Sequence, residues 1–506
     1  MQQYNTDVVV LSAGTAGLPA AVTAAENGAR VIVLEKTGRT GGTANRGNDI
    51  FGVESRLQKQ DPPYLTREEA FKIHMEWTHW RVDPRLVSAI INKSGSTIDW
   101  LQDLGVEFQD MRRLREMMKQ FGDMPRPPQA TLRIKGEPPG PRQVGQAAAM
   151  AKILTRQAKE LGVQFLMKTP ATRILRDRHR ITGVMARSEE GTDIQIEAKA
   201  VIIATGGFAG NREWVKKYTG YEEGKNFFAF QKIGINGDGI RMAWEVGAAA
   251  SPMMIGLTHT LPPPCHGGGG TSAEFSHFTR PENICVNIRG ERFSNDDWLG
   301  AYGMVAAHGT VANVIALQPE KVAFMIFDGN LKKLHDEAAK KRPRGDMFGY
   351  RTFKHGDLDD NIREVQTTGY KFIFMADSLE ELCAQTGINE EGLRRTLEEY
   401  NKICEAGSDP FFFKSPAYLK PVTGPRFYAA KFIAGGYGTS GGIRTNHRME
   451  VVDEHYQAIP GLYAAGNDAN NMYDNNYTPL AGNHIGFAVN SGRIAAENAA
   501  RYVKSI

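Results

Sequence analysis

The stretch VVVLSAGTAGLPAAV at residues 8–22 sets Ser12, Gly14 and Gly17 at the spacing of a phosphate-binding turn between a strand and a helix. In such a turn the first residue makes the bend, the second lets backbone approach a pyrophosphate, and the third lets the helix lie close on the strand. Gly14 and Gly17 keep the last two roles. Ser12 stands in the first, where it is expected to bend the chain at negative φ and to leave its hydroxyl as a further donor near phosphate. Glu35 lies 18 residues beyond Gly17 at the end of the next apolar run, where a carboxylate takes adenosine ribose hydroxyls. The chemistry these residues suit is dinucleotide binding, with the pyrophosphate on the positive end of a helix.

A second constellation mimics an esterase. HGGGG from residue 266 could form an oxyanion loop and GTSGG from residue 438 a nucleophile elbow at Ser440, with His447 and His484 downstream. An elbow must join a strand to a helix, and the residues after Ser440 read as strands and turns, so the serine hydrolase is set aside. The HGGGG segment is read as a lid or surface loop. Cys265, Cys285, Cys383 and Cys404 show no metal-ligand or CxxC spacing and are expected as buried thiols, with no metal site. NFFAFQK and DPFFFKSP interleave aromatics with lysine as a single-strand nucleic-acid platform does. With 61 basic and 57 acidic residues mixed along the chain, no basic field accompanies them, and they are expected as core or domain contacts.

The elements that must position the turn follow from periodicity. Residues 7–11, the helix AGLPAAVTAAENG and the strand ARVIVLEK make a β-α-β unit. Pro19 falls in the first turn of that helix, where amides have no internal partner anyway. TREEAFKIHMEW opens with a capping box, Thr66 to Glu69, and the next helix has Asp83 as cap and Pro84 as its first residue. A further helix is expected from about Arg142 to Leu161. VQFLMKTPATRILRD, RITGVMARS, TDIQIEA and KAVIIATGG then read as successive strands. From about 251 the texture turns to short strands and polar loops, and a glycine-rich section returns near 436. At 506 residues the chain holds two or three packed units. We expect an α/β fold, a Rossmann-type nucleotide-binding section at 1–253 and 436–506, with an inserted α+β section at 254–435. No run is long and apolar enough for membrane insertion, and the first basic residue is Arg30, so a cytoplasmic protein without nucleic-acid partners is expected.

In the order DVVVLSAGTAGLPAAVTAAENGARVIVLEK, GGTANRG, AVIIATGGFAGN, GINGDGIRMAWEVGAA and IPGLYAAGN…LAGNHIG, the chain resembles the fumarate reductase/succinate dehydrogenase flavoprotein superfamily over nearly its whole length. The resemblance implies FAD rather than NAD, with the middle section capping the substrate. It puts Gly14 and Gly17 at pyrophosphate, Glu35 and Lys36 at ribose, Gly41, Gly42, Thr43 and Ala44 beside the flavin, and Ala171 by the adenine. Thr205, Gly206, Gly207, Asp238, Gly466, Asn467, Gly482 and Asn483 complete the implied cradle. Asn467 departs from the glutamate common there. Members that attach FAD covalently do so through a histidine early in the chain, whereas the first here is His74, so noncovalent FAD is expected.

Fumarate reductases hold a dicarboxylate with arginine and histidine, because a guanidinium meets a carboxylate in a two-pronged pair. Here the matching positions carry Gly300, Tyr437 with Gly438, and Pro479, and His259 is the polar remnant near a family anchor. Tyr302, Tyr437, Tyr473 and Tyr477 lie in or beside those segments, which is similar to the 3-ketosteroid dehydrogenase branch. The expected reaction is hydride transfer at flavin N5 to or from a carbon–carbon bond next to the carbonyl of a neutral, cyclic substrate. Tyr302 is expected to move the proton, Tyr477 to meet the carbonyl, and Tyr437 to assist. The alternatives are a fumarate reductase-like enzyme for an unsaturated carboxylate and a noncatalytic FAD protein for electron transfer or redox sensing. No second GxGxxG marks a nicotinamide site, so an external electron donor or acceptor is expected.

Overall fold

The computed structural model describes residues 1–109 apart from 61 and 63, then 131–136, 146–229, 234–259, 273–297, 311–340, 357–474, 480 and 482–506. The opening strand, Gln2–Leu11, buries Val8, Val9 and Val10 completely because it runs through the middle of a sheet covered on both faces. That sheet has eight strands. Along it lie Glu450–Val452, Ala458–Ala464, Asp193–Ile203, Gln2–Leu11, Val31–Glu35 and Gln164–Met167, and the pairs from Ala458–Ala464 to Gln164–Met167 are parallel. Off that row, Ile181–Arg187 pairs antiparallel with the first half of Asp193–Ile203, and Ala171–Arg176 pairs antiparallel with it in turn. TDIQIEA and KAVII, expected as two strands, form the single strand Asp193–Ile203. Its first half alternates, since one face is open to water; its second half is continuously buried between Gln2–Leu11 and Ala458–Ala464.

The helix after the turn is Gly17–Glu26, with Pro19 in its first turn. The Thr66–Glu69 capping box and the Asp83 cap with Pro84 as first residue are both present, starting the helices Arg67–Trp77 and Pro84–Asp103. The helix expected from Arg142 begins, among described residues, at Ala148 and ends at Glu160. Across the sheet's face lies the closing helix, Asn483–Ser505, packed on Gly17–Glu26. The approach is close enough that a Cβ on Gly492 would collide with the carbonyl of Ala16.

A second sheet centres on the long strand Phe427–Ser440, which pairs with Met254–His259, Val322–Asp328, Ile373–Ala376 and Phe227–Ala229. Its own core gathers Phe324, Phe327, Tyr400 and Tyr428 under the helices Leu358–Thr367, Leu379–Thr386 and Glu390–Ala406. A buried ion cluster staples this unit. Arg292 reaches Asp296 at 2.7 Å and Asp409 at 2.9 Å, and the fully buried Lys414 bonds the Asn283 carbonyl at 2.7 Å and the Tyr400 hydroxyl at 2.9 Å. That staple corrects the reading of DPFFFKSP as core. With Asp409 and Lys414 pinned at either end, Phe412 packs under Arg292, while Phe411 and Phe413 point outward, 69% and 80% exposed. No helix among the described residues is long and apolar enough to cross a membrane. Cys285 and Cys383 are buried free thiols, Cys404 is a half-buried one, and Cys265 lies outside the described residues.

Candidate cofactor and active site

The turn forms where expected, with a different bend. Ser12 has φ 96°, in the left-handed region, not the negative φ expected of it. Its amide continues the strand ladder to the Leu34 carbonyl at 2.7 Å, and the next amide, of Ala13, turns to Glu35 Oε2 at 2.8 Å. The Ser12 hydroxyl donates to the same carboxylate at 3.2 Å and is not aimed outward as a phosphate donor. That bond offsets the ~1 kcal/mol a side chain loses in this conformation. A Cβ on Gly17 would collide with the Ser12 carbonyl, and one on Gly42 would stand 3.0 Å from Gly14 Cα, so the 41–46 loop and the turn touch through bare backbone. The helix Gly17–Glu26 starts with no side-chain cap and no acid in its first turn, leaving its positive end open to an anion.

The residues expected at the adenosine end also meet. Glu35 Oε1 accepts from the Thr37 amide and hydroxyl, both at 2.8 Å. Lys36 pairs with Asp238 at 2.6 Å across the sheet edge. The Thr169 amide donates to the Glu35 carbonyl at 2.9 Å, which carries the chain to Ala171 beside them. Gly41 is tied to the Ala13 carbonyl at 2.8 Å, and Thr43 lies in the short helix Gly42–Arg46. The side chain of Ala44 lies outside the described residues.

At the far side, residues 205–207 turn under a carboxylate that the sequence reading missed. Asp468, fully buried, accepts the amides of Thr205, Gly206 at 3.0 Å and Gly207 at 2.9 Å, and the Thr205 hydroxyl at 3.0 Å. Burial raises its pKa, against these hydrogen bonds. The acid absent at Asn467 thus stands one residue on, pointing at backbone; an acid two places after Gly466 was the available signal. Thr439 Oγ1 accepts the Phe208 amide at 2.8 Å, and a Cβ on Gly438 would stand 2.6 Å from Asn467 Nδ2, so both face the same turn.

The closing helix begins at Asn483 behind Gly482, again with no side-chain cap and no acid in its first turn. Asn483 Oδ1 accepts the Tyr473 hydroxyl at 2.9 Å, while its Nδ2 is buried without a hydrogen-bond partner. A buried amide donor in that state costs about 1–3 kcal/mol unless a ligand accepts from it. The orphan donor, two uncapped helix starts and the glycine-bared backbone fit a large, acceptor-rich dinucleotide such as FAD. His484 stacks on Tyr473, and burial holds its pKa down at about 4. His74, buried, bonds the Met472 carbonyl through Nε2 at 2.8 Å, and burial likewise holds it at about 4.

Tyr302 and Tyr477 lie outside the described residues, as do Gly300, Pro479 and the HGGGG segment; so do the side chains of Tyr437 and His259. Ser440 is fully buried at the end of its strand and is followed by turn and strand, not helix, so no nucleophile elbow forms. Among the described residues no group of three or more histidine, cysteine or acidic side chains could hold a metal ion.

Residues 7–485 match the FAD binding domain family. The chain is 30% identical to the vinyl phenol reductase of Lactiplantibacillus plantarum, over 98% of this chain and 96% of that one. It is 28% identical to the fumarate reductase (cytochrome) of Shewanella frigidimarina, over 98% of this chain and 77% of that one. The fold superposes with a TM-score of 0.70, at 23% identity, on the 3-ketosteroid-Δ4-(5α)-dehydrogenase of Rhodococcus jostii RHA1 bound to 4-androstene-3,17-dione, covering 99% of this chain and 98% of that one. With the turn, the uncapped helices and the whole-length match in place, the chain belongs to the FAD-binding oxidoreductase family that includes fumarate reductases and 3-ketosteroid dehydrogenases and acts on carbon–carbon bonds.

Proposed function

We propose that the chain is an FAD-dependent reductase of a neutral substrate whose carbon–carbon double bond is conjugated to an oxygen-bearing group, as in an enone or a vinyl phenol. The observation that carries this reading is the residue set Gly300, Tyr437 with Gly438, and Pro479 where the resemblance expects the arginines and histidine of a dicarboxylate site. A carboxylate that leaves water without a guanidinium partner is left as an uncompensated buried charge, costing on the order of 3–5 kcal/mol. The whole-length likeness to a vinyl phenol reductase supports the same reading, and so does the His484 imidazole in the first turn of the closing helix, which burial keeps uncharged near neutrality.

FAD, when bound, supplies the hydride chemistry. The chain's residues orient the substrate, exclude water and handle the proton. With an enone, negative charge develops on the carbonyl oxygen as the β carbon is reduced, and fixed phenol and backbone donors lower that charge's energy without a paired cation. Tyr477 is assigned to that oxygen, Tyr302 to the proton delivered at the neighbouring carbon, and Tyr437 to an assisting role. A phenol with an ordinary pKa of about 10 arrives protonated and serves as acid. The section 254–435 closes over the cofactor section 1–253 and 436–506, which keeps water from the reacting atoms. Attachment of FAD is noncovalent, a reading supported by the engagement of His74, the first histidine, with Met472. Electrons come from an external donor.

The test supplies reduced methyl viologen to the holoprotein with a panel of enones, 4-vinylphenol, fumarate and urocanate, and weighs the products. Gain of two hydrogens by the neutral compounds alone is expected; reduction of the carboxylates alone overturns the reading.

A further inference from the structure

The side chain of Asn483 is fully buried where the closing helix begins, and its two amide ends meet different surroundings. Oδ1 accepts the Tyr473 hydroxyl at 2.9 Å, whereas Nδ2 is buried without a hydrogen-bond partner. A phenol O–H donates and an amide oxygen accepts, so this bond decides which end of the planar amide is turned away from Tyr473. The Tyr473 ring is itself held. It stacks on His484 with centroids 4.9 Å apart and planes 15° from parallel, and the His74 ring lies 6.0 Å away on a tilted plane. His74 Nε2 in turn donates to the carbonyl of Met472, the residue before Tyr473, at 2.8 Å.

The place of Asn483 along the dinucleotide follows from the closing helix. Gly492 meets the Ala16 carbonyl beside the phosphate turn, and Asn483 lies nine positions earlier on the same helix, roughly 13 Å from that crossing. A Cβ on Gly482 would stand 2.7 Å from the carbonyl carbon of Ile50, and Ile50 follows the 41–46 loop that the resemblance puts beside the flavin. Asn483 therefore stands beyond the phosphates, at the isoalloxazine end of the implied cradle. An isoalloxazine offers ring nitrogens and carbonyl oxygens as acceptors, and these grow more electron-rich when the ring takes up two electrons. A fixed neutral donor at such an atom holds the reduced ring more strongly than the oxidised one. With the amide reversed, Oδ1 would face those acceptors and favour the oxidised ring.

We infer that Tyr473 is a positioning residue for the flavin: its hydroxyl fixes the Asn483 amide so that Nδ2 donates to an acceptor atom of the isoalloxazine, and this donor raises the flavin's reduction potential. The inference rests on FAD binding and not on the choice of substrate, and it uses none of the tyrosines assigned above.

The test measures the midpoint potential of bound FAD in substrate-free holoprotein, by slow reduction with xanthine and xanthine oxidase against a reference dye. Tyr473→Phe keeps the stacked ring and removes the hydroxyl; Asn483→Leu keeps the volume and removes the donor. Asn483→Leu is expected to retain FAD and to make its two-electron reduction about tenfold less favourable, a fall of about 30 mV. Tyr473→Phe is expected to lower the potential by up to the same amount. The double variant is expected to fall no further than Asn483→Leu, because one residue acts through the other. A wild-type potential in either single variant overturns the inference, and so do falls that add in the double variant. Loss of FAD from either single variant overturns it as well, since the pair is then needed to retain the cofactor. No substrate is present in these measurements, so failure of the proposed function leaves their result standing.

Discussion

Two buried carboxylate hubs serve the two halves of the molecule by different chemistry. Asp468 takes three backbone amides and a hydroxyl, with no cation on it among the described residues. Asp409 and Asp296 instead share the guanidinium of Arg292. The first arrangement shapes a backbone turn from within; the second neutralises charge and ties two loops together. Glu35 belongs with the first kind, drawing the phosphate turn together through Ser12 and Ala13. Binding of the dinucleotide should therefore depend on the amide-fed acids, and stability of the substrate section on the ion-paired ones.

The largest effect is expected at the first hub. Asp468→Ala leaves three amides without an acceptor, the buried one at Gly207 costing about 1–3 kcal/mol, and should yield protein without flavin. Absorbance of the purified protein and FAD release on denaturation check this; a fully yellow variant would separate Asp468 from the cofactor site. Arg292→Ala takes the guanidinium from two buried carboxylates, leaving Asp296 the Lys414 ammonium at 3.7 Å and Asp409 its backbone amides, and should lower stability by about 3 kcal/mol in thermal or urea melts, while flavin content per folded protein stays at the wild-type level. Equal flavin loss in both variants would erase the distinction.

Acid should separate the hubs as well, because their shifts have opposite sign. Burial pushes Asp409 up, but the Arg292 hydrogen bond and the amides of Phe411 and Phe412 outweigh it, so its pKa lies below the ordinary 3.8. Its contribution to stability is present above that value and is lost as pH falls through the lowered one. Burial raises the pKa of Asp468, so its contribution is present at low pH and lost as pH rises through its folded value. Hydrogen exchange recorded as pH falls below about 3.8 should show the loop around Asp409 opening before residues 205–207. The reverse order contradicts the assignment. The smallest effect is expected for Ser12→Gly, which exchanges relief of the left-handed side chain for loss of the hydroxyl bond to Glu35. Stability should change by less than about 1 kcal/mol, and FAD should be retained.

What could be read from the sequence was local. The β-α-β unit, the Thr66–Glu69 box and the Asp83–Pro84 helix start all depend on neighbours within a few positions, and the structure has them. The role of Asp468 is not local: GNDAN shows the acid, but its partners lie 261 to 263 positions earlier. The exposure of Phe411 and Phe413 is not local either, because it follows from the pairing of Asp409 with Arg292, 117 positions before it. Ser12 was half legible: the turn was recognised, but its left-handed bend depends on Glu35 receiving both the hydroxyl and the next amide. TDIQIEA and KAVII looked like two strands because the burial pattern changes where the neighbouring strands change.

The central claim is that the flavin meets an uncharged substrate. Its most direct test is single turnover: anaerobically reduced holoprotein mixed with 4-vinylphenol or an enone in one syringe, and with fumarate in another, following flavin reoxidation. Reoxidation at least about a hundredfold faster with the neutral compound, corresponding to some 2.7 kcal/mol, is expected. Reoxidation by fumarate at an equal or greater rate would contradict the account.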